Sequence, residues 1–159
     1  MITRRHFVWA VIAVCTTVAV VALADSAITP PVMKSSVFQW DKLKAESKPS
    51  GARRQVFDGR TATLDQLECH VTTLNPGQSP HPGHQHPEEE LVILKEGTLE
   101  AVQNDVTNHL GAGAVIFEAS NEYHSLRNTG QTPATYYVIK FIPHGLVTNR
   151  TPVASMPGH

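Results

Sequence analysis

From Arg54 to about Pro143 the chain alternates short apolar-rich runs with turn formers. The runs are "RQVFD", "LDQLECHVTTL", "EELVILKEG", "TLEAVQ", "NHL", "GAVIFEA", "YHSLRNTG" and "ATYYVIKFI". Asn75-Pro76-Gly77, Pro80 to Gly83, Asn104-Asp105, Gly111 to Gly113, Asn128 to Gly130 and Thr132-Pro133 separate them. β-branched and aromatic residues bounded by Gly, Pro and Asn read as strands. No window here sustains a helical apolar period, so the pattern predicts an all-β fold, a small antiparallel barrel or jelly roll over residues 54–143. Residues 25–53 carry Pro, Ser and Lys with one apolar patch, "VFQW" (37–40), and read as an N-terminal arm holding a first strand or a docking segment. Residues 144–159 lose the pattern and read as a tail.

The N-terminus has a different texture. A short basic stretch, "MITRRHF", precedes the unbroken apolar run Val8 to Ala24, with small residues before Asp25. This is the build of an export signal over residues 1–24, cut after Ala24, which places the mature protein in a periplasmic or extracellular compartment. The same run, left uncleaved, would serve as a membrane anchor although short for a span. Arg4-Arg5, flanked by Thr3 and Phe7, resembles a twin-arginine (Tat) signal, the alternative being an ordinary secretory leader. Val14 before Cys15 argues against a lipid-modified cysteine.

Removing the signal leaves 11 basic against 14 acidic side chains and a formal charge of −3. Nucleic acid and anionic membranes are therefore not expected partners. The mature chain keeps one cysteine, Cys69, so it forms no intrachain disulfide; its place between Leu67 and Val71 reads as a buried thiol. The sequon Asn149-Arg150-Thr151 carries no weight beside a bacterial type of leader.

The chemistry concentrates in "PHPGHQHPEEE", residues 80–90. In extended backbone, residues two and four apart share a face, so His84, His86 and, past the Pro87 kink, Glu90 can converge. Two imidazoles and a carboxylate form a three-point ligand set for a divalent transition metal. His124, opening a later strand in "NEYHSLRN", is the candidate fourth ligand.

These residues carry a resemblance. Gly77, His84-x-His86, Glu90 and Gly97 are similar to the first cupin motif, G(X)5HXH(X)3-4E(X)6G. Gly113, Ala119-Ser120-Asn121, His124 and Asn128 resemble the second, G(X)5PXG(X)2H(X)3N. Both occur in order across residues 77–128. One extra residue separates Gly77 from His84, and Ala119 and Asn121 replace the Pro and second Gly; Asn tolerates the left-handed backbone such a turn needs. The resemblance implies a double-stranded β-helix barrel with His84, His86, Glu90 and His124 as metal ligands. It also selects Glu90 among three consecutive glutamates, because Glu90 has the required distances to His86 and Gly97. Glu88 shares the parity of Glu90 and is the second choice, but Glu88 and Glu89 are expected in solvent.

Three imidazoles and one carboxylate leave coordination positions open, which suits a catalytic metal. The resemblance implies a metal-dependent dioxygenase, decarboxylase or isomerase acting on a small oxygenated or aromatic molecule. The alternatives are a non-catalytic ligand binder or sensor and a structural barrel. Glu90, released from the metal, is the candidate base. Mn or Fe is favoured if folding precedes export; Zn, Ni, Co and Cu accept the same donors. Parity puts Val92, Leu94, Leu126, Tyr137, Ile139 and Phe141 inward, a lining suited to an aromatic ligand. His81 reads as exposed or gating, and His70 as a surface residue unless the barrel interior is the polar side of its strand. His109 and His144 carry no signal, and Tyr123 should face away from the ligands. Sheet edges need cover, and the 37–40 patch, exchanged between copies, would support a homodimer.

Overall fold

A computed structural model of the chain describes residues 31–146. The export signal, Cys15, the sequon and residues 147–159 of the tail lie outside the described residues. Nine strands follow a single 3₁₀ turn at Trp40–Lys42: β1 Glu46–Lys48, β2 Gly51–Gly59, β3 Leu64–Leu74, β4 Glu89–Glu96, β5 Thr98–Gln103, β6 Val106–Gly111, β7 Val115–Glu118, β8 His124–Arg127 and β9 Ala134–Pro143. All pair antiparallel, in a six-stranded sheet ordered β1-β2-β3-β9-β4-β7 and a three-stranded sheet ordered β6-β5-β8. The chain thus forms the antiparallel all-β barrel that its pattern predicts. Every quoted run lies in or overlaps a strand, and the sheet begins earlier than Arg54, at Glu46.

Turn chemistry fixes the corners. Asn104 adopts φ 51 between β5 and β6, and Gly97 adopts φ 84 between β4 and β5. A Cβ on Gly97 would sit 2.7 Å from both the Ala134 Cα and the Pro133 carbonyl oxygen, so both the backbone sign and the space require glycine there.

Between the sheets lies one apolar core built on Leu74, Val92, Leu94, Leu99, Leu126 and Tyr136, with Leu110 and Ala114 packed against it. Burying a leucine such as Leu94 or Leu99 contributes about 1.5–3 kcal/mol. The opposite face of the large sheet is also apolar. Phe57, Cys69, Ile139, Leu91 and Phe117 stand in one cross-strand row. The arm covers part of it: Met33 donates its backbone N–H to the Arg60 carbonyl, and Phe38 lies 5.5 Å from Phe57, ring centre to ring centre. Trp40 stacks between Arg54 and Lys95. The 37–40 patch is therefore a docking segment on its own barrel, not a strand. Cys69 is buried beneath this face, and burial pushes its thiol up to about 11.

The inward set on β9 differs from the one that parity predicts. Tyr136 and Val138 are buried inside and Lys140 is half-buried on the same face, whereas Tyr137, Ile139 and Phe141 take the outer face. In "ATYYVIKFI" both faces are apolar, so alternation holds no information. Register decides, with Val138 opposite His70 on one side and Val92 on the other. Val92, Leu94 and Leu126 do face inward.

Candidate metal centre

The loop from Asn75 to Glu88 runs antiparallel beside β8, and backbone hydrogen bonds hold it there. Gly77 N–H donates to the Asn128 carbonyl (2.8 Å) and Asn128 N–H to the Gln78 carbonyl (2.9 Å). His84 and His124 exchange both backbone bonds, at 3.0 and 2.9 Å, and Asn121 N–H reaches the His86 carbonyl at 2.7 Å. Directly opposed residues project to the same face, so this bridge aims both imidazoles into the barrel. Asn121 makes the expected left-handed turn, φ 60, just before β8. Asn128 is fully buried and its side chain is engaged by the backbone: its amide donates to the Leu74 and Thr132 carbonyls and its oxygen accepts from Gly130 N–H.

A ring nitrogen from each of His84, His86 and His124 lies within 4.8 Å of the other two. Two tautomers are set by the backbone. His86 Nδ1 donates to the Glu88 carbonyl and His124 Nδ1 to the Glu122 carbonyl, each at 3.0 Å. That leaves the Nε2 lone pairs of His86 and His124 buried without a hydrogen bond, and His84 Nδ1 is buried and unpaired as well. Three clustered histidines, each with an unpaired buried ring nitrogen, are a donor set that fits a divalent transition ion.

Carboxylates border the cluster. Glu90 Oε1 is 3.0 Å from His86 Nε2 and 2.6 Å from Lys140 Nζ. Burial by itself would raise the Glu90 carboxyl, but His86 and Lys140 together hold it at about 2. Glu90 raises His86 in return, against the effect of burial. Burial foremost, then His81, His124 and His86, pushes His84 down to about 4, so the ring stands neutral and its nitrogen free. Glu118, opposite Glu90 in the β4/β7 register, is 3 % exposed, and one of its oxygens has no partner. Its other oxygen accepts from Gln103 and sits 3.9 Å from His124 Nδ1. Burial raises its carboxyl.

His84, His124, Glu90 and Glu118 line a cavity of about 560 Å³. Val92, Leu126, Tyr136 and Val138 form an apolar floor, His81 and His84 stand at one side, and Arg53, His70 and Thr72 form the wall on β2 and β3. His70 thus takes the second of its two expected positions, lining the pocket. His81 is exposed at 4.3 Å from the His84 ring, centre to centre. Tyr123 faces away from the cavity, its hydroxyl against Gly83, where a Cβ would collide with it.

Glu89 is exposed as expected, but Glu88 is not a solvated residue. It is 8 % exposed, with a carboxylate oxygen 3.3 Å from His86 Nδ1. Pro87 interrupts the extended backbone and β4 starts only at Glu89, so parity counted back from Glu90 does not reach Glu88. Sequence reasoning also passed over Glu118, Lys140 and Arg53. Glu118 alternates with the exposed Val115 and Phe117, which inverts the usual sign of the pattern. It could have been found from its pairing with Glu90, not from hydropathy.

Known proteins place the chain. The cupin domain family profile matches residues 70–140, which contain all three histidines of the cluster. Residues 70–140 form a cupin domain. Comparison with curated proteins finds no match. Among solved structures, an RmlC-like cupin from Shewanella frigidimarina aligns at 17% identity and TM-score 0.56, over 70% of this cupin and 95% of that chain. A predicted oxalate decarboxylase from Thermotoga maritima aligns at 21% identity and TM-score 0.54, over 67% and 99%. The polyketide cyclase RemF from Streptomyces resistomycificus aligns at 22% identity and TM-score 0.57, over 69% and 80%. At these identities the likeness is one of fold.

Proposed function

We propose that this cupin is an exported, metal-dependent enzyme acting on a small oxygenated or aromatic molecule. The observation that carries the reading is the convergence of a ring nitrogen from each of three histidines beside an open cavity that His84 and His124 line. His84, His86 and His124 would hold the ion, and Glu90 would complete the set on exchanging Lys140 for it. A bound divalent ion would supply Lewis acidity toward a substrate carbonyl or enolate oxygen. Released from the ion and paired again with Lys140, whose Nζ lies 2.6 Å away in the ion-free site, the ionised Glu90 would be placed to accept a proton from substrate at Oε1. Val92 and Val138 keep water from the floor of the site. Names given to fold neighbours, a predicted oxalate decarboxylase and a polyketide cyclase, fit chemistry on small oxygen-rich molecules.

Metal analysis and turnover test the proposal together. The protein loaded with Mn, Fe or Zn should bind one ion per chain, and His84→Ala and His124→Ala should lose it. A screen of aromatic and hydroxy-acid substrates, read by oxygen uptake and product mass, should show turnover that both variants abolish. Tight ligand binding without turnover on every metal would move the assignment to a non-catalytic binder. Mn or Fe is the favoured ion, and only Cu or Zn in protein from its native export route would reverse that preference. Export itself predicts a mature chain starting at Asp25. Among the described residues no helix is long and apolar enough to cross a membrane. Exposed Val115 and Phe117 on the outer sheet face support a homodimer, to be measured by light scattering with Phe117→Glu as the monomeric control.

A further inference from the structure

Glu68 on β3 is buried, yet it faces the cavity side of the sheet with His70 and Thr72. Its carboxylate gathers three partners from two strands. Arg53 Nη2 donates to Oε1 at 2.9 Å, Gln55 Nε2 donates to the same oxygen at 2.7 Å, and His70 Nδ1 lies 2.9 and 3.0 Å from the two oxygens. A carboxylate so surrounded can only accept, so in the neutral ring the proton sits on Nδ1. His70 Nε2 is then left as a hydrogen-bond acceptor on the cavity wall, with no protein partner. The arrangement is rigid because every other polar atom of Glu68 and the His70 Nδ1 is engaged.

The position of this acceptor relative to the histidine cluster follows from register. His70 pairs with Val138 and Val138 with Val92, so two strand spacings, about 10 Å, separate His70 from the strand that carries Glu90. Level with His70 the floor is apolar, built of Val138 and Val92 with Tyr136 beside them, while Lys140 on the intervening strand pairs with Glu90 at the metal end. The cavity therefore has two polar poles and an apolar middle.

We propose that His70, oriented by Glu68, is the second recognition pole of the pocket, selecting ligands that place a hydroxyl at the end of a flat apolar body remote from the metal-binding acid group. The substrate class is accordingly a hydroxyaryl or similarly long hydroxylated carboxylic acid, not a compact acid that would occupy the metal end alone. This rests on the metal reading above. A single neutral hydrogen bond in a protected site is worth about a factor of ten in affinity.

The test uses the zinc-loaded full chain, with 4-hydroxybenzoate and benzoate as probes, measured by calorimetry. The hydroxylated acid should bind about tenfold more tightly than benzoate. In His70→Ala the preference should vanish, the ratio of the two affinities falling to about one, with zinc stoichiometry and circular dichroism unchanged. His70→Gln, which restores an acceptor, should recover part of the difference. Equal binding of the two acids by the unsubstituted protein, no binding of either, or a difference that persists in His70→Ala would overturn the second pole while leaving the metal centre intact. Failure of the unsubstituted protein to bind zinc would overturn both readings.

Discussion

Asn128 offers the sharpest separation of scaffold from chemistry. It occupies the last position of the second cupin motif, only four residues after His124, and its spacing alone would make it a candidate for the site. In the structure it is wholly buried and its amide makes three hydrogen bonds, to the Leu74 carbonyl, the Thr132 carbonyl and Gly130 N–H. Asn128→Ala removes all three and leaves the buried Leu74 carbonyl without a side-chain donor. At about 1 kcal/mol net for each bond, plus the cost of stranding buried polar groups, the loss is about 3–4 kcal/mol. That is a large share of the 5–15 kcal/mol typical of a whole domain. Urea denaturation of the metal-free protein should show the midpoint falling at constant slope. Zinc affinity of the folded variant should stay within about threefold of the original, because no imidazole contact is lost. A stability loss below about 1 kcal/mol would refute the accounting. A hundredfold loss of zinc affinity with stability unchanged would make Asn128 part of the site.

Three further outcomes follow from the same geometry. Gly97→Ala places a side chain at φ 84 and 2.7 Å from two backbone atoms, so it should cost about 3 kcal/mol or prevent folding; loss of less than about 1 kcal/mol by thermal melting would contradict the close approach. Cys69 should resist thiol reagents at pH 8 until the chain unfolds. Since its folded value, about 11, lies above the ordinary 9, its contribution is full below pH 9 and is lost as pH rises toward 11, up to about 3 kcal/mol; fast labelling of native protein would refute this. Zinc at a hundred times its dissociation constant should stabilise the folded chain by about 2.7 kcal/mol in calorimetric melts, and His86→Ala should abolish that shift. An equal shift in the variant would remove His86 from the ligand set.

Strand positions were legible because each run ends at a residue with its own backbone preference. Asn104 and Gly97 turn the chain where their φ values demand it, and the Asn121 turn forms without the glycine that the motif usually places there. The histidine cluster was legible for a different reason. Residues 84 and 86 share a face, and His124, which the second motif singled out, arrives beside them through a backbone bridge that only the structure shows. The inner face of β9 was not legible, since Tyr136 and Tyr137, or Val138 and Ile139, are equivalent in hydropathy. Only the pairing of Lys140 with Glu90 and Glu68 across the two neighbouring strands fixes which tyrosine goes in.

That pairing also explains why the acidic run misled at one position. Glu88, Glu89 and Glu90 are chemically identical, and their fates depend on what stands opposite each one. Lys140 and His86 receive Glu90, Glu89 faces the solvent, and Glu88 is buried beside His86 Nδ1, ahead of the strand that starts at Glu89. A buried carboxylate is stable only where cations or donors meet it. The same reasoning finds Glu68, which no run or motif marks, through Arg53, Gln55 and His70 on its own and the neighbouring strand. In this barrel the residues that hold buried acids are thus better guides to the pocket than the acids themselves. Arg53, Lys140 and His70 define its polar limits, and the apolar floor between them sets the length of what fits.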